Sequence, residues 1–148
     1  MLPVQNIIIR TAKTDPDILR CYPVLRELRP HLHPETFLPT IRQFQDGGYF
    51  LVMLEADGEV VAVAGYRFSE HLARGRFLYV DDLVTLAAHR SKGYGEKFLD
   101  WLIKLARDSG CQELHLDSGV QRTEAHRFYE NQKMTFASKH YSLKLPPA

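Results

Sequence analysis

The sequence predicts one α/β (α+β) domain over residues 1–148, with a mixed, mostly antiparallel central sheet flanked by helices and a βαβ half. Three observations predict this class. A chain of 148 residues suits a single core. Asp57-Gly58 stands between two apolar runs and indicates a β-hairpin. Farther along, a long apolar strand is followed by a polar connection, an amphipathic helix and a short strand, which is the order of a parallel crossover unit.

The elements are predicted in the order β-α-α-β-β-β-α-β-α-β. The run Ile7–Ala12 is rich in β-branched residues and predicts the first strand. Asp15 as N-cap and Pro16 at the first helical position predict a helix that continues to the break at Pro30. The other predicted elements are a helix over 34–46, strands over 49–55, 60–68 and 76–86, a helix over 93–108, a strand over 114–117, a helix over 123–132 and a final strand or strand pair over 134–145.

The composition is that of an ordinary soluble globular protein, with 45% hydrophobic and 25% charged residues. A formal net charge of +1 gives no reason to expect nucleic acid or an anionic membrane as a partner. No apolar run approaches membrane-spanning length, and Met1–Arg10 lacks the layout of a signal peptide. Cys21 and Cys111 form no metal-binding spacing and are interpreted as buried thiols in a reducing compartment. A cytoplasmic location and no metal site are therefore expected.

The most informative segment is the start of the helix predicted over 93–108, where two glycines and two basic residues stand together. Unpaired backbone N–H groups and the helix dipole favour an anion at a helix N-terminus. Gly93 and Gly95 carry no Cβ, so a bulky anion can approach the backbone closely. The residues predicted to hold a phosphate group are Arg90, Ser91, Lys92, Gly93, Tyr94, Gly95 and Glu96.

Two other phosphate loops, and a purely structural role for the glycines, are the alternatives. A dinucleotide-binding loop requires a third glycine where this chain has Phe98, and the Walker pattern Gly-x-x-x-x-Gly-Lys-Ser/Thr is absent. Both nucleotide interpretations are therefore rejected. The glycine pair could still serve only to relieve crowding in a strand-to-helix turn.

The unit Arg90-Ser91-Lys92-Gly93-Tyr94-Gly95 has the pattern Arg-x-x-Gly-x-Gly and resembles the pyrophosphate loop of the GCN5-related N-acetyltransferase (GNAT) family. The order of elements resembles that family over nearly the whole chain. The resemblance implies a GNAT-like fold whose βαβ half binds acetyl-coenzyme A (acetyl-CoA). Ala125-x-x-Phe128-Tyr129 resembles a later helix of the family, whose tyrosine lies near the coenzyme sulfur. Two positions depart from the family pattern, since Arg122 replaces a common Asn and Lys133-Met134 replaces a common Gly-Phe.

Acetyl transfer to an amine requires a neutral amine, a polarised thioester carbonyl and a proton for the departing thiolate. The resemblance places the pantetheine arm of the coenzyme on the backbone of Leu83, Val84 and Thr85. The N–H of Val84 is the hypothesised donor to the developing oxyanion. Tyr129 is predicted to be the general acid, because a phenol with a pKa of about 10 is protonated at neutral pH. The alternative is that Tyr129 packs against the core with its hydroxyl at the surface.

Asp81 and Asp82 precede those backbone positions on the same predicted strand. Adjacent strand residues point to opposite faces, so one carboxylate is expected to face the acceptor pocket and accept the ammonium proton or hold a cationic substrate. Asp82 is preferred for this role, and a solvated acidic pair at a strand bulge is the alternative. His126 lies three residues before Tyr129 and could contact the coenzyme, with a surface histidine as the alternative.

The sequence therefore predicts an acetyl-CoA-dependent N-acetyltransferase in which a primary amine attacks directly, since no framework for a covalent enzyme intermediate is recognised. A non-catalytic acyl-CoA-binding sensor or partner module on the same fold is the alternative, which the departures at Arg122 and Lys133-Met134 leave open. The acceptor is a small-molecule or peptide amine whose identity the sequence does not specify. The segment 15–46 resembles the acceptor wall of the family, and a homodimer is compatible with the sequence.

Overall fold

A computed structural model describes residues 5–117 and 122–147, apart from the side chain of Thr123. They form two compact units, one up to Leu116 and one from Asp117 onward. The first unit contains β1 (Ile7–Thr11), α1 (Asp15–Leu28), α2 (Pro34–Asp46), β2 (Phe50–Ala56), β3 (Glu59–His71), β4 (Gly75–Thr85), a 3-10 turn (Ala87–His89), α3 (Tyr94–Asp108) and β5 (Glu113–Leu116). The second unit contains α4 (Thr123–Asn131). The elements predicted up to residue 132 are all present, with boundaries that differ by a few residues at most.

The described strands of the first unit form one five-stranded sheet in the order β1-β2-β3-β4-β5. The strands from β1 to β4 pair antiparallel with their neighbours, and β5 pairs parallel with β4. This pattern confirms the mixed, mostly antiparallel sheet and the crossover through α3. The hairpin between β2 and β3 turns at Asp57 and Gly58, whose φ values of 52° and 85° are both left-handed, as the Asp-Gly pair predicts.

The two faces of the sheet are covered by different helices, because successive strand residues point to opposite faces. Leu51 and Met53 of β2 belong to a buried cluster with residues of α1 and α2. Val52 and Leu54, which alternate with these residues along β2, belong to a second cluster that contains the fully buried Phe98 of α3. The helix that follows the predicted phosphate loop therefore packs on the face opposite to α1 and α2.

The start of α1 differs in detail from the prediction, because Thr14 and not Asp15 is the N-cap. The backbone of Thr14 is extended, and its Oγ1 accepts a hydrogen bond from the Asp17 N–H at 3.3 Å. Asp15 is the first helical residue, and its carboxylate forms an ion pair with Arg42. Threonine and aspartate are both good N-caps, so the choice between neighbours depends on which side chain reaches the N–H three residues on.

An ion-pair network ties α1 to the edge of the sheet. Arg10 of β1 contacts Asp17 at 2.7 Å and Glu55 at 2.8 Å, and Arg20 of α1 reaches the same two carboxylates at 3.4 and 3.3 Å. The hydrogen bond from Arg10 holds the pKa of Asp17 below its usual range. Glu55 is only 8% exposed, and the two guanidinium groups are its ion-pair partners in this buried position.

The second unit departs from the prediction beyond α4. Residues 134–147 form neither helix nor strand, so the predicted final strand or strand pair over 134–145 is wrong for this structure. Tyr141, Leu143 and Leu145 alternate with polar residues as strand residues do, yet their side chains are 86%, 85% and 82% exposed. Alternation is a local pattern, whereas a strand also requires a hydrogen-bonded neighbour.

Candidate active site

The predicted phosphate loop connects the end of β4 to the start of α3. Ser91 and Gly93 adopt left-handed φ values of 65° and 83°, and Gly93 is the N-cap of α3. Glycine accepts this conformation without the steric cost that a Cβ imposes. Apart from Gly93 and its neighbours along the chain, no heavy atom of the described residues lies within 4 Å of the position that a Cβ on Gly93 would occupy. The backbone at Gly93 is therefore open to the approach of a ligand.

The backbone N–H groups of residues 91–96 have no hydrogen-bond acceptor within the described parts of the chain. The bond that opens the helical ladder runs from the Lys97 N–H to the Gly93 carbonyl at 3.1 Å. Ser91, Lys92 and Glu96 are exposed. Free donors at a helix N-terminus favour an anion, and the phosphate-holding role of the loop stays a prediction.

The side chains of the loop differ in their exposure and therefore in their availability to a ligand. Arg90 and Lys92 are exposed and form no ion pair with a carboxylate among the described residues. The Arg90 Nε instead donates to the Thr85 carbonyl at 3.3 Å. Tyr94 is only 2% exposed, and its hydroxyl accepts a hydrogen bond from the Gln5 amide. Tyr94 can therefore contribute its backbone to a ligand, whereas its ring belongs to the core.

The end of β4 has a free edge. β5 pairs with β4 from Phe77 only as far as Val80. Beyond that point, residues 81–85 have no strand partner on the β5 side among the described residues. A strand edge presents unpaired N–H and C=O groups that can bond to a ligand.

The pairing with β3 decides which residues contribute to that free edge. The Leu86 N–H donates to the Val61 carbonyl at 2.8 Å, which sets the phase of the ladder. Backbone groups alternate in direction along a strand, so Val84 directs its N–H toward β3, whereas Leu83 and Thr85 direct theirs toward the free edge. The backbone groups of Leu83 and Thr85 are therefore available to the pantetheine arm that the resemblance places there. The N–H of Val84, the hypothesised oxyanion donor, is not available, because it belongs to the sheet.

A β-bulge determines where the two aspartates lie. Asp82 pairs with Gly65, and Val80 pairs with Tyr66, so Asp81 is an extra residue without a partner on β3. A bulge interrupts the strict alternation of side chains. Consequently Asp81 and Asp82 do not point to opposite faces as predicted, and both carboxylates join one cluster of side chains. The alternative, a solvated acidic pair at a strand bulge, matches the structure in the bulge but not in the solvation, because both carboxylates are bonded to arginines.

Both carboxylate oxygens of Asp82 are engaged. Oδ1 accepts a hydrogen bond from the Arg29 Nε at 3.0 Å, and Oδ2 accepts one from the Tyr49 hydroxyl at 2.8 Å. Burial, reinforced by the charge of Asp82, raises the pKa of Tyr49 far above its usual range. Tyr49 therefore stays protonated and acts as a donor. Asp82 is a carboxylate held in place between a guanidinium group and a phenol.

Asp81 keeps one carboxylate oxygen without a partner. Oδ2 accepts a hydrogen bond from the Arg67 Nε at 2.8 Å, whereas Oδ1 is shielded from solvent and has no hydrogen-bond partner among the described residues. Burial raises the pKa of the Asp81 carboxyl, although the hydrogen bond from Arg67 opposes the shift. A buried acceptor without a donor costs about 1–3 kcal/mol, so this atom marks a place where a ligand could supply the missing donor.

Sequence patterns did not identify Arg29, Tyr49 and Arg67 as site residues. Tyr49 stands next to Phe50 at the start of a predicted strand, where an aromatic residue is typical of a protein core, and Arg29 lies in a stretch that contains both acidic and basic residues. Their hydrogen bonds to the aspartates span 14 to 53 residues along the chain. No local spacing links residues so far apart, so only the packing of α1 against β2, β3 and β4 brings them together.

The helix α4 carries the predicted general acid. Tyr129 is half-buried, and burial raises the pKa of its phenol above the usual value, with a smaller opposing effect from Arg122. The phenol therefore stays protonated at neutral pH, as a proton donor must. His126 is half-buried one turn earlier on the same helix. The catalytic role of Tyr129 and the coenzyme contact of His126 stay predictions.

A cysteine nucleophile is not supported at Cys21. Its thiol is buried, which raises its pKa to about 12, so the reactive thiolate does not form at neutral pH. Within residues 5–117 and 122–147, no group of three or more His, Cys, Asp or Glu side chains could hold a metal ion. No helix in the same residues is long and apolar enough to cross a membrane.

Comparisons of sequence identify relatives of this chain. The model of the GNAT acetyltransferase family matches residues 18–136. An uncharacterised N-acetyltransferase of Bacillus subtilis, YhdJ, is 38% identical over 126 residues, which cover 84% of this chain and 88% of that protein. An aminoalkylphosphonate N-acetyltransferase of Salmonella typhimurium is 31% identical over 74 residues, which cover 49% of this chain and 48% of that protein.

A comparison of structures gives the same fold. An aminoglycoside N-acetyltransferase, AAC(6')-Iy, solved in complex with CoA, superimposes with a TM-score of 0.85 at 13% identity and covers 98% of both chains. At this identity the likeness shows the fold. The family match spans most of the sequence and confirms the resemblance that the Arg-x-x-Gly-x-Gly unit indicated. This chain therefore belongs to the GNAT family of acetyltransferases.

Proposed function

We propose that this chain transfers the acetyl group of acetyl-CoA to the primary amine of a small molecule by direct attack. The row of free backbone N–H donors over residues 91–96 carries the proposal, because it suits the diphosphate of the coenzyme. The exposed charges of Arg90 and Lys92 add to the attraction. The free edge of β4 at Leu83 and Thr85 would hold the pantetheine amides. A neighbour solved with CoA and a relative named for an aminoalkylphosphonate support the choice of coenzyme and acceptor class.

Asp81 is the proposed acceptor of the amine proton, in preference to Asp82. Asp81 has a carboxylate oxygen without a donor, whereas both oxygens of Asp82 are bonded already. The raised pKa of Asp81 makes its carboxylate a stronger base than an ordinary aspartate. The ammonium group would lose its proton to Oδ1 of Asp81, directly or through one water molecule.

The remaining steps are assigned to two other groups. The N–H of Leu83, which takes the place predicted for Val84, would stabilise negative charge on the thioester oxygen. The amine nitrogen bonds to the acetyl carbon, the carbon–sulfur bond breaks, and the phenol of Tyr129 gives its proton to the sulfur. The products are an N-acetylated amine and CoA, and Tyr129 recovers its proton from solvent.

Two measurements test the proposal. Titration calorimetry of the purified chain with CoA is expected to show binding, and acetyl-CoA is expected to release free thiol when a panel of small primary amines is added. A chain that neither binds CoA nor releases thiol with any amine contradicts the proposal. Tight binding of CoA without turnover on any amine would favour the alternative, a sensor or partner module.

A pair of substitutions tests the assignment of the base. Asp81→Asn is expected to lower kcat by about a hundredfold and to leave CoA binding unchanged, because it removes only the proton acceptor. Asp82→Asn is expected to lower the free energy of unfolding, because Arg29 and Tyr49 lose a charged partner. Asp100→Asn, an exposed position on α3, is the matched control. Full turnover in Asp81→Asn would remove Asp81 from the mechanism.

A further inference from the structure

We infer that the acceptor carries an anionic group a few bonds from its amine, and that Arg67 binds this group. The inference rests on the proposed function, since it concerns the acceptor of the same reaction. It starts from a guanidinium group that lies against Asp81 and uses only part of its hydrogen-bonding capacity.

The outer edge of the Arg67 guanidinium is available to a ligand. A guanidinium carries five N–H donors. The Nε–H of Arg67 donates to Asp81, and its two terminal nitrogens have no acceptor among the described residues. The side chain is 35% exposed, so these donors are accessible from solvent. Paired N–H groups in one plane suit a carboxylate or another anionic oxygen group.

Arg67 is held in place before any ligand arrives. Its guanidinium carbon lies 5.5 Å from the ring centre of Phe44 and 5.3 Å from that of Tyr49. The two rings contact each other edge to face at 5.7 Å. Such a cation–π arrangement, together with the bond to Asp81, limits the motion of a long side chain. The binding of an anion to Arg67 therefore costs less free energy for ordering the side chain.

The charge balance of the cluster favours the same class of acceptor. The cluster contains two guanidinium groups, Arg29 and Arg67, and two carboxylates, Asp81 and Asp82. A simple ammonium ion would add an uncompensated positive charge to this half-buried, balanced group, which is unfavourable. An amine that carries its own anion leaves the balance unchanged.

The geometry limits the separation of the two charges on the acceptor. Oδ2 of Asp81 is bonded to Arg67, and Oδ1 of the same carboxylate is the atom without a donor. An amine at Oδ1 therefore lies beside the guanidinium of Arg67. The anionic group must then follow the amine within a few bonds, as in a short amino acid. A long diamine without an anion does not match this arrangement.

Matched acceptors test the inference. β-Alanine and β-alaninamide have the same chain length, but only β-alanine carries a carboxylate. Their rates are compared at equal concentration of neutral amine. The value of kcat/KM is expected to be about tenfold higher for β-alanine, the factor typical of one charge-assisted hydrogen bond. Arg67→Gln is expected to bring the two values close together, mainly through the KM of β-alanine. Arg107→Gln, an exposed position in the last turn of α3, is expected to keep the difference.

The outcomes separate this inference from the proposed function. If amines are acetylated but β-alaninamide is as good as β-alanine, or if Arg67→Gln keeps the difference, the inference is overturned while the proposed function stands. The comparison of acceptors on the unmodified chain decides the matter even when Arg67→Gln does not fold. If no amine is acetylated, the proposed function fails, and titration of both compounds into CoA-saturated protein decides the inference. Equal binding of the two compounds overturns it, and tighter binding of β-alanine supports it.

Discussion

Replacing Gly65 with alanine tests whether close packing of Tyr49 holds the aspartate cluster (Asp81 and Asp82 with their arginine partners) in place. A Cβ at Gly65 would lie closer than 3.0 Å to Oη, Cζ and Cε2 of the Tyr49 ring, distances that real Cβ atoms do not show. The backbone of Gly65 is not left-handed, so alanine adds a steric effect and no conformational one. The ring, only 4% exposed, must move, and its hydroxyl then loses the 2.8 Å contact with Asp82.

The expected effect on stability follows from two contributions. Insertion of a methyl group into a packed core costs about 1–3 kcal/mol. Loss of a hydrogen bond to a charged group costs about 1.5–3 kcal/mol. Because the ring movement relieves part of the overlap, the two costs do not add fully, and Gly65→Ala is expected to lower the free energy of unfolding by about 3 kcal/mol. This is a large share of the roughly 5–15 kcal/mol that stabilises a typical domain.

Urea unfolding followed by circular dichroism measures this change, and Gly47→Ala is the matched control. An added Cβ at Gly47 meets its nearest atom, the Phe44 carbonyl oxygen, at 3.5 Å, which is an ordinary contact. Its free energy of unfolding is expected to change by less than about 0.5 kcal/mol. If Gly65→Ala is as stable as Gly47→Ala, Tyr49 can move freely, and the idea that its packing positions Asp82 is refuted.

Three further predictions concern other groups. Arg90→Glu is expected to raise the Kd of CoA about tenfold in calorimetry, because it replaces a positive charge at the phosphate loop with a negative one. The control Arg107→Glu, on the last turn of α3, is expected to have little effect on this Kd. Equal effects of the two substitutions would contradict the role of the loop. Tyr129→Phe is expected to lower kcat by about a hundredfold with an unchanged Kd for CoA, and an unchanged kcat would exclude the phenol as the acid. Arg10 lowers the pKa of Asp17 in the folded state, so the stability that Asp17 contributes is present above its ordinary pKa near 3.8 and is lost as the pH falls through the lower folded value. Asp17→Asn is therefore expected to weaken the pH dependence of urea unfolding on the acid side, and an unaltered dependence would refute this assignment.

The features that local sequence could predict are those that depend on near neighbours. Asp57-Gly58 predicts its hairpin because the turn requires two left-handed residues, and both adopt that conformation. Gly93 is predicted to lie in a phosphate loop because it carries no Cβ, and the structure adds that its φ is left-handed. The free N–H groups from Gly93 to Glu96 follow from the start of any helix, so they too could be expected.

The features that sequence could not predict depend on the pairing of distant segments. The direction of the Val84 N–H is set by the phase of the ladder with β3, which a strand pattern does not reveal. The bulge at Asp81 shifts the alternation that would otherwise place the two aspartates on opposite faces. The residues predicted as a final strand have the alternation of a strand, but no strand among the described residues pairs with them.

The aspartate cluster combines three local features that each cost stability. A bulge leaves Asp81 out of register, a tyrosine ring leaves no space for any side chain at Gly65, and one carboxylate oxygen is buried without a donor. Such features persist at functional sites because the surrounding structure compensates for them. Here the compensation is unequal, since Asp82 receives two partners and Asp81 receives one. Besides the bond between Arg67 and Asp81, one carboxylate oxygen and the terminal guanidinium nitrogens have no hydrogen-bond partner among the described residues, and the inferred binding of an acceptor's amine and anion uses these two groups.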